Sequence, residues 1–280
     1  MKPKPFLKSL GMQFDTNPAQ MNNRFYKSLT EEQQENVYDI WERKAMGFAV
    51  NAELYAIPAT IKQAARLYSL DSARYEASLQ WFSEVTASTQ PNRVFEVGAG
   101  AGITSAYLKK LHCELKISGI EWHKNMVQIA KDTFGSEIQV GDYLAVEGDF
   151  SHDLVICDFG FDVEDLPPSK KPHSTAEVGG YKYCPGCAED LGETLRPYFR
   201  RWASWMNEEG KLAIAGRFGG VGMVYAALVS AQAAGLRPIE NLCKVLKTTQ
   251  HGVTQKFPAM VFERGEMNAT MKAAAHLYSL

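Results

Sequence analysis

From Arg93 onward the chain alternates short β-type runs with helical ones, and this alternation constrains the fold more than any other feature. "RVFEV" precedes a helical "ITSAYLKKL", "LKISGIE" precedes "NMVQIAKDTF", and "EIQV" leads into a short connection. "DLVICDF" comes before an irregular stretch and the helical "CAEDLGETLRPYFRRWASWM", and "KLAIAGRF" runs into "GMVYAALVSAQAAGL". Strands that return to their neighbours through helices form a parallel sheet covered on both faces, a doubly wound α/β fold. The last two β candidates, "IENLCKVL" and "FPAMVFER", are joined by only ten residues, "KTTQHGVTQK". That link is too short for a parallel crossover, so an antiparallel hairpin is predicted to end the sheet.

Residues 1–90 have a different texture, with long helical patterns and no strand alternation. "TEEQQENVYDIWERKAMGF" opens with Thr30 as an N-cap and Gln33 three residues on, the spacing of a capping box. Val37, Ile40 and Trp41 follow at helical spacing and make one apolar face. "PATIKQAARLYSLDSARYEASLQWFSEVTAS" reads as two further helices with Asp71 or Ser72 capping the second, and Pro91 and Asn92 close the region. The division predicted is a helical cap over 1–90 that contributes to a substrate region, followed by the α/β domain over 91–280. The cap aromatics Tyr38, Trp41, Tyr55, Tyr75 and Trp81 suit a core first, and a pocket or a homodimer interface second.

Charge and cysteine usage exclude several classes. With 30 Lys and Arg against 32 Asp and Glu, the formal net charge of −2 gives no footprint for a polyanion, so no nucleic acid is expected as substrate. No apolar stretch approaches the ~20 residues of a membrane span. The N-terminal "MKPKPFLKSLGMQFDT" lacks the apolar core of a secretory signal. Five cysteines, an odd number with three of them scattered, fit a reducing cytoplasmic setting better than a disulfide framework.

The loop behind the first strand, "VFEVGAGAGITSAYL", places Gly98, Gly100 and Gly102 at alternate positions, where backbone can approach a ligand closely. In an open α/β sheet that loop sits at the carboxyl end of the strands, where ligands bind. A P-loop needs Lys followed by Ser or Thr at its close, and Ile103 and Thr104 stand there instead. The dinucleotide spacing G-x-G-x-x-G from Gly98 requires a glycine at 103, which is Ile103.

With Glu96 two residues ahead of the glycines, the segment Glu96-Val97-Gly98-Ala99-Gly100-Ala101-Gly102 resembles the class I S-adenosylmethionine-dependent methyltransferases. The resemblance covers about residues 91–264 and implies a Rossmann-like, doubly wound, seven-stranded sheet with its last strand antiparallel. It implies S-adenosylmethionine as cofactor, with Glu96, Gly98, Ala99, Gly100 and Gly102 around its methionine end. Glu121, closing the second strand, takes the ribose, where one carboxylate can accept from both hydroxyls of a diol. Trp122 packs on the adenine, Asp142 with Tyr143 beside it takes the adenine amino group, and Asp158 faces the methionine part and the substrate. The rival readings are a nicotinamide-dependent oxidoreductase and a partner protein that binds the donor without catalysis.

The acceptor is less constrained. The Asn- or Asp-Pro-Pro-aromatic motif of amino-methylating DNA enzymes is missing, since Phe159-Gly160-Phe161 follows Asp158, and Glu164 beside Asp165 lacks the spacing of the arginine methyltransferase loop. The expectation is a small-molecule or peptide acceptor in biosynthesis, with a protein side chain or RNA as the alternative. The 27-residue insert "GFDVEDLPPSKKPHSTAEVGGYKYCPG" is long for a compact domain and reads as a lid or a segment with its own structure. It carries Asp162 and His173, which with Asp158 are the candidate catalytic groups, and also Tyr181 and Tyr183. "YCPGC" pairs Cys184 with Cys187 at the start of a helix, read first as two free thiols. A metal held with His173, and with His152 or Cys157 drawn in, is the alternative, and a redox pair the third reading. His251, in the terminal hairpin, reads as a surface histidine before a general base.

Overall fold

The computed structural model describes residues 1–14, 17–48, 51–160, 169–250 and 252–280. Among the described residues five α-helices precede the first strand, with two short 3₁₀ helices between them: α1 (Pro3–Ser9), α2 (Pro18–Tyr26), α3 (Glu31–Ala45), α4 (Ile61–Leu67) and α5 (Ser72–Thr89). The capping box that opens α3 is formed in both directions, with Gln33 N–H donating to Thr30 Oγ1 at 3.3 Å and Thr30 N–H to Gln33 Oε1 at 3.0 Å. Asp71 precedes α5 without capping it, because its carboxylate is turned to Arg217 at 2.7 Å.

The alternating part follows as β1 (Arg93–Val97), α6 (Ile103–Leu111), β2 (Lys116–Glu121), α7 (Lys124–Phe134), β3 (Glu137–Val140) and β4 (His152–Asp158). A short hairpin, β5 (Ala176–Val178) and β6 (Tyr181–Tyr183), lies in the insert before α8 (Pro185–Ala203). Then come β7 (Met206–Ala215), α9 (Val221–Ala233), β8 (Leu236–Pro238), β9 (Lys244–Gln250), β10 (Val253–Arg264) and α10 (Met271–Ser279).

The main sheet runs β3-β2-β1-β4-β7-β10-β8, with β9 also on β10. β1, β2, β3, β4 and β7 are mutually parallel, and β10 enters antiparallel between β7 and β8. Because β8 and β9 lie along the same edge of β10, eight strands fill seven places in the sheet. Strand residues alternate strictly between two cores, as a period of two requires. Val94, Leu154, Ile156, Ala213 and Val261 face a layer built from the N-terminal helices and α6 and α7. Phe95, Val97, Val155, Leu212, Ile214 and Phe262 face α8, α9 and α10.

The terminal hairpin departs from its expected boundaries. Lys244–Gln250 pairs with Val253–Ala259, so most of the expected ten-residue link is itself strand. The expected strand "IENLCKVL" is broken at Glu240–Leu242 by a single 3₁₀ turn. The physical reason is long-range: the Leu242 carbonyl accepts from the Trp81 indole at 3.0 Å, a contact 161 residues apart. The insert's hairpin turns on Gly179 and Gly180, both at positive φ (+55° and +81°), as a two-residue turn between antiparallel strands demands.

Candidate functional site

In the sheet order the chain leaves β1 outward to β2 and β3, then returns to β4 on the other side of β1. The crevice therefore opens beyond the carboxyl ends of β1 and β4, at the reversal of strand order. A cavity of about 420 Å³ lies there, within the range of small-molecule sites.

The glycines are needed for reasons now visible. All three have positive φ, +65° at Gly98, +52° at Gly100 and +71° at Gly102. A Cβ on Gly98 would stand 2.5 Å from the Gly160 Cα, backbone against backbone. On Gly100 it would meet the Tyr68 hydroxyl at 2.5 Å, and on Gly102 the Ala130 Cβ at 2.9 Å. Gly98 and Gly100 thus bring the loop against the cavity, whereas Gly102 packs α6 onto α7.

Glu96, Gly98, Ala99, Gly100, Glu121, Trp122, Tyr143 and Asp158 all line the cavity. Glu121 is 7% exposed; one carboxylate oxygen accepts Gly100 N–H at 2.9 Å, and the other accepts His123 N–H at 2.8 Å and faces His123 Nδ1 at 2.9 Å. Trp122, by contrast, is 64% exposed, its ring at the cavity mouth. Tyr143 donates to the Gly160 carbonyl at 3.3 Å. Asp142 and Gly102 are not brought into the lining. The Asp142 carboxylate accepts Leu144 N–H at 2.8 Å, closing a turn.

Asp158, like Glu121, is held by three contacts. Its oxygens accept from Arg74 Nη1 at 3.3 Å, Ser78 Oγ at 3.1 Å and Thr104 Oγ1 at 3.1 Å. Burial pushes its pKa above the usual carboxylate range, against the opposing pull of Arg74, Ser78 and Thr104. Glu96 accepts Ser105 N–H at 3.1 Å and the Ser105 hydroxyl. Burial pushes Glu96 up to about 8, with Asp158 and Glu121 adding to the rise and Ser105 opposing it.

That shift has a stability consequence. The unfolded chain releases the Glu96 proton near the ordinary 4.5, the folded chain only near 8. Between those values the folded state binds more protons, so stability falls as pH rises, by at most about 1.4 kcal/mol per pH unit for one group. Denaturant midpoints measured from pH 5 to pH 8 are expected to drop for the wild type and to flatten in Glu96→Gln. Equal slopes in the two proteins would contradict a neutral Glu96.

Residues that no local pattern announced complete the cavity: Tyr68, Asp71 and Arg74 from the helical region, His123 before α7, Phe159, and Arg217. Arg74 is only 6% exposed. Its guanidinium lies 3.9 Å from the Phe159 ring centroid and 4.9 Å from that of Tyr75, and its Nε has no hydrogen-bond partner among the described residues. A sequence signal existed only in hindsight: "SARYEASLQWF" sets a cation inside a helix that is otherwise apolar or small on its buried side. Among the cap aromatics, Tyr55 and Tyr75 reach the cavity, Trp81 fills the core, and Tyr38 and Trp41 are exposed.

His173 is not among the lining residues; it stands beside Cys184 and Cys187, away from the catalytic place considered for it. Cys157 is fully buried in β4, and His152 bonds with Ser118 and Trp205, so neither joins that group. Asp162, Glu164, Asp165 and His251 lie outside the described residues.

The antiparallel strand inserted beside β7 is the arrangement that the class I resemblance implied. The fold is that of a class I methyltransferase. No family model matches the sequence, and no curated protein matches it. Among solved structures, the magnesium protoporphyrin IX methyltransferase of Synechocystis PCC 6803 with bound S-adenosylmethionine is 12% identical, at a TM-score of 0.44 over 73% of this chain and 83% of its own. A TehB-like S-adenosylmethionine-dependent methyltransferase from Corynebacterium glutamicum is 15% identical, with a TM-score of 0.43 over 69% and 96%. The methyltransferase SibL in its apo form is 13% identical, with a TM-score of 0.46 over 77% and 62%.

Proposed function

We propose that the protein transfers a methyl group from S-adenosylmethionine to a small-molecule or peptide acceptor. The observation that carries this reading is one cavity at the switch point, ringed by Glu96, Glu121 and Asp158 from the ends of β1, β2 and β4. The donor set fits the donor molecule. Glu121 closes β2 over the Gly100 amide; the oxygen that accepts that bond keeps a lone pair for a ribose hydroxyl, and the other can take the second hydroxyl in place of His123 Nδ1. Asp158 and the Tyr68, Tyr75 and Phe159 rings suit a cationic ligand. The unpartnered Arg74 Nε supplies a donor for a carboxylate. Trp122 offers an apolar face at the mouth for a base.

When bound, S-adenosylmethionine supplies a methyl group on a positively charged sulfur whose neutralisation drives transfer. The chain then has to hold the acceptor in line and keep water out. Ala52, Glu53 and Tyr55 border the cavity from the N-terminal side. Asn125 ties this cover to α7, donating to the Tyr55 carbonyl at 2.9 Å and the Pro58 carbonyl at 2.8 Å. Asp71 and Arg217 form a paired wall at 2.7 Å that an acceptor would meet. A covered cavity of this size, in a chain with no surplus of positive charge, favours a small molecule or peptide over RNA. A base is required only if the acceptor must lose a proton before attack.

Calorimetry tests the reading. S-adenosylhomocysteine is expected to bind with a one-to-one stoichiometry, and NAD is not. Binding of NAD with none of S-adenosylhomocysteine would make the protein an oxidoreductase.

A further inference from the structure

The insert between β4 and α8 holds a second constellation, remote in chemistry from the cavity. His173 Nδ1, Cys184 Sγ and Cys187 Sγ all lie within 4.8 Å of one another. The His173 nitrogen is 3.1 Å from the Cys187 sulfur and 3.9 Å from the Cys184 sulfur. We propose that these three side chains bind a zinc ion that clips the β5–β6 hairpin to the start of α8.

Zinc–sulfur bonds of about 2.3 Å and a zinc–nitrogen bond of about 2.0 Å at tetrahedral angles place nitrogen about 3.5 Å from each sulfur. The two observed distances bracket that value, so an ion could be taken up with side-chain movements of a few tenths of an ångström.

The backbone is built to produce this meeting. Cys184 is the N-cap of α8, Pro185 takes the first helical position, where its missing N–H costs nothing, and Cys187 falls in the first turn. The antiparallel pairing of β5 with β6 carries the chain back so that His173 returns to Cys184, eleven positions later in sequence. Gly186 allows the close approach: a Cβ there would stand 3.0 Å from the Pro172 carbonyl oxygen and 3.1 Å from the Lys171 Cβ. The segment bearing His173 is also pinned to α8 from outside the cluster. Lys170 N–H donates to Asp190 at 2.9 Å, and Lys171 Nζ lies 3.1 Å from Glu189 and 3.7 Å from Glu193. Ser174 N–H points at the Cys184 sulfur at 3.5 Å, the kind of outer bond that supports a metal-bound thiolate.

Two thiolates and one imidazole form a borderline-soft set that suits zinc over magnesium or calcium. A simple disulfide between the cysteines would need neither His173 nor the glycine that admits it. The described residues supply three ligands, and the fourth tetrahedral position is open to water. Gly160, at the start of the insert, lines the donor cavity, and the clip would hold the insert's other end on α8.

The experiment uses the full chain, purified under reducing conditions, with metal content measured by mass spectrometry and cobalt(II) as the probe after chelation. Equimolar zinc is expected, and cobalt should give a thiolate charge-transfer band with the strong visible bands of a four-coordinate ion. His173→Ala and Cys187→Ser should each weaken metal binding roughly 100-fold or more, whereas Cys113→Ser, an exposed thiol elsewhere, should not. Should a variant fail to fold, the cobalt spectrum of the wild type still decides. Absence of both zinc and a cobalt charge-transfer band in the reduced wild type overturns the proposal, as does an unchanged affinity in His173→Ala. S-adenosylhomocysteine binding is read separately, so failure here leaves the proposed activity standing.

Discussion

Replacing Glu121 by alanine is expected to weaken S-adenosylhomocysteine binding about 100-fold or more. Hydrogen bonds to a charged acceptor contribute roughly 1.5–3 kcal/mol each, and a ribose diol would make two of them, so losing both corresponds to at least about two decades in Kd. The same carboxylate holds the Gly100 amide and His123, so its removal also loosens the loop over which the donor would lie. Glu121→Gln keeps the shape and one acceptor, and an intermediate loss of about tenfold is expected. Calorimetry on the two variants measures this, with thermal unfolding as the control for folding. An Ala variant that binds as tightly as wild type would remove Glu121 from the donor site, and with it the best-defined polar contact in the proposed function.

The second large effect is on stability. Asp158→Ala leaves the Arg74 guanidinium, 6% exposed, without its carboxylate. Breaking one side of a buried pair typically costs about 3–5 kcal/mol, because the remaining charge is stranded. Much of that loss should be recovered in Asp158→Ala combined with Arg74→Met, which removes the stranded cation and keeps apolar contact with Phe159 and Tyr75. Denaturant unfolding of the two single variants and the double variant gives the coupling directly. A cost below about 1 kcal/mol for Asp158→Ala would mean that the pair is solvated and that Asp158 is free to serve the substrate alone.

Where structure follows from neighbours in sequence, the reading from residues succeeded closely. The helix expected over "ITSAYLKKL" is α6, residue for residue, and "RVFEV" is β1. A glycine loop between them sharpens both boundaries, because each flanking period begins or ends at a residue with positive φ. The strand "KLAIAGRF" instead begins earlier, at Met206, and ends at Ala215, because β7 pairs with β4 at Met206 and again, after a register shift, from Lys211 to Ala215. Pairing of that kind is set by a distant partner and leaves no mark in the local pattern.

The same distinction divides the two sites. Glu96, Gly98, Gly100, Glu121 and Asp158 were legible through the class I resemblance, and they meet because they stand at or just beyond the carboxyl ends of β1, β2 and β4, which in a parallel sheet arrive at one edge. Periodicity and the short terminal link therefore determined the α/β fold with its antiparallel last strand, and the glycine loop marked the edge at which the cavity opens. Arg74, Tyr68 and Asp71 reach the same cavity from helices ahead of the sheet, with Arg74 meeting a partner 84 residues away. His173 meets Cys187 only because a hairpin folds between them. Contacts across such separations depend on how amphipathic elements choose faces and crossing directions, which is a property of packing and not of local pattern. Tertiary structure alone decided which side chains close the cavity and that an imidazole stands between two thiols.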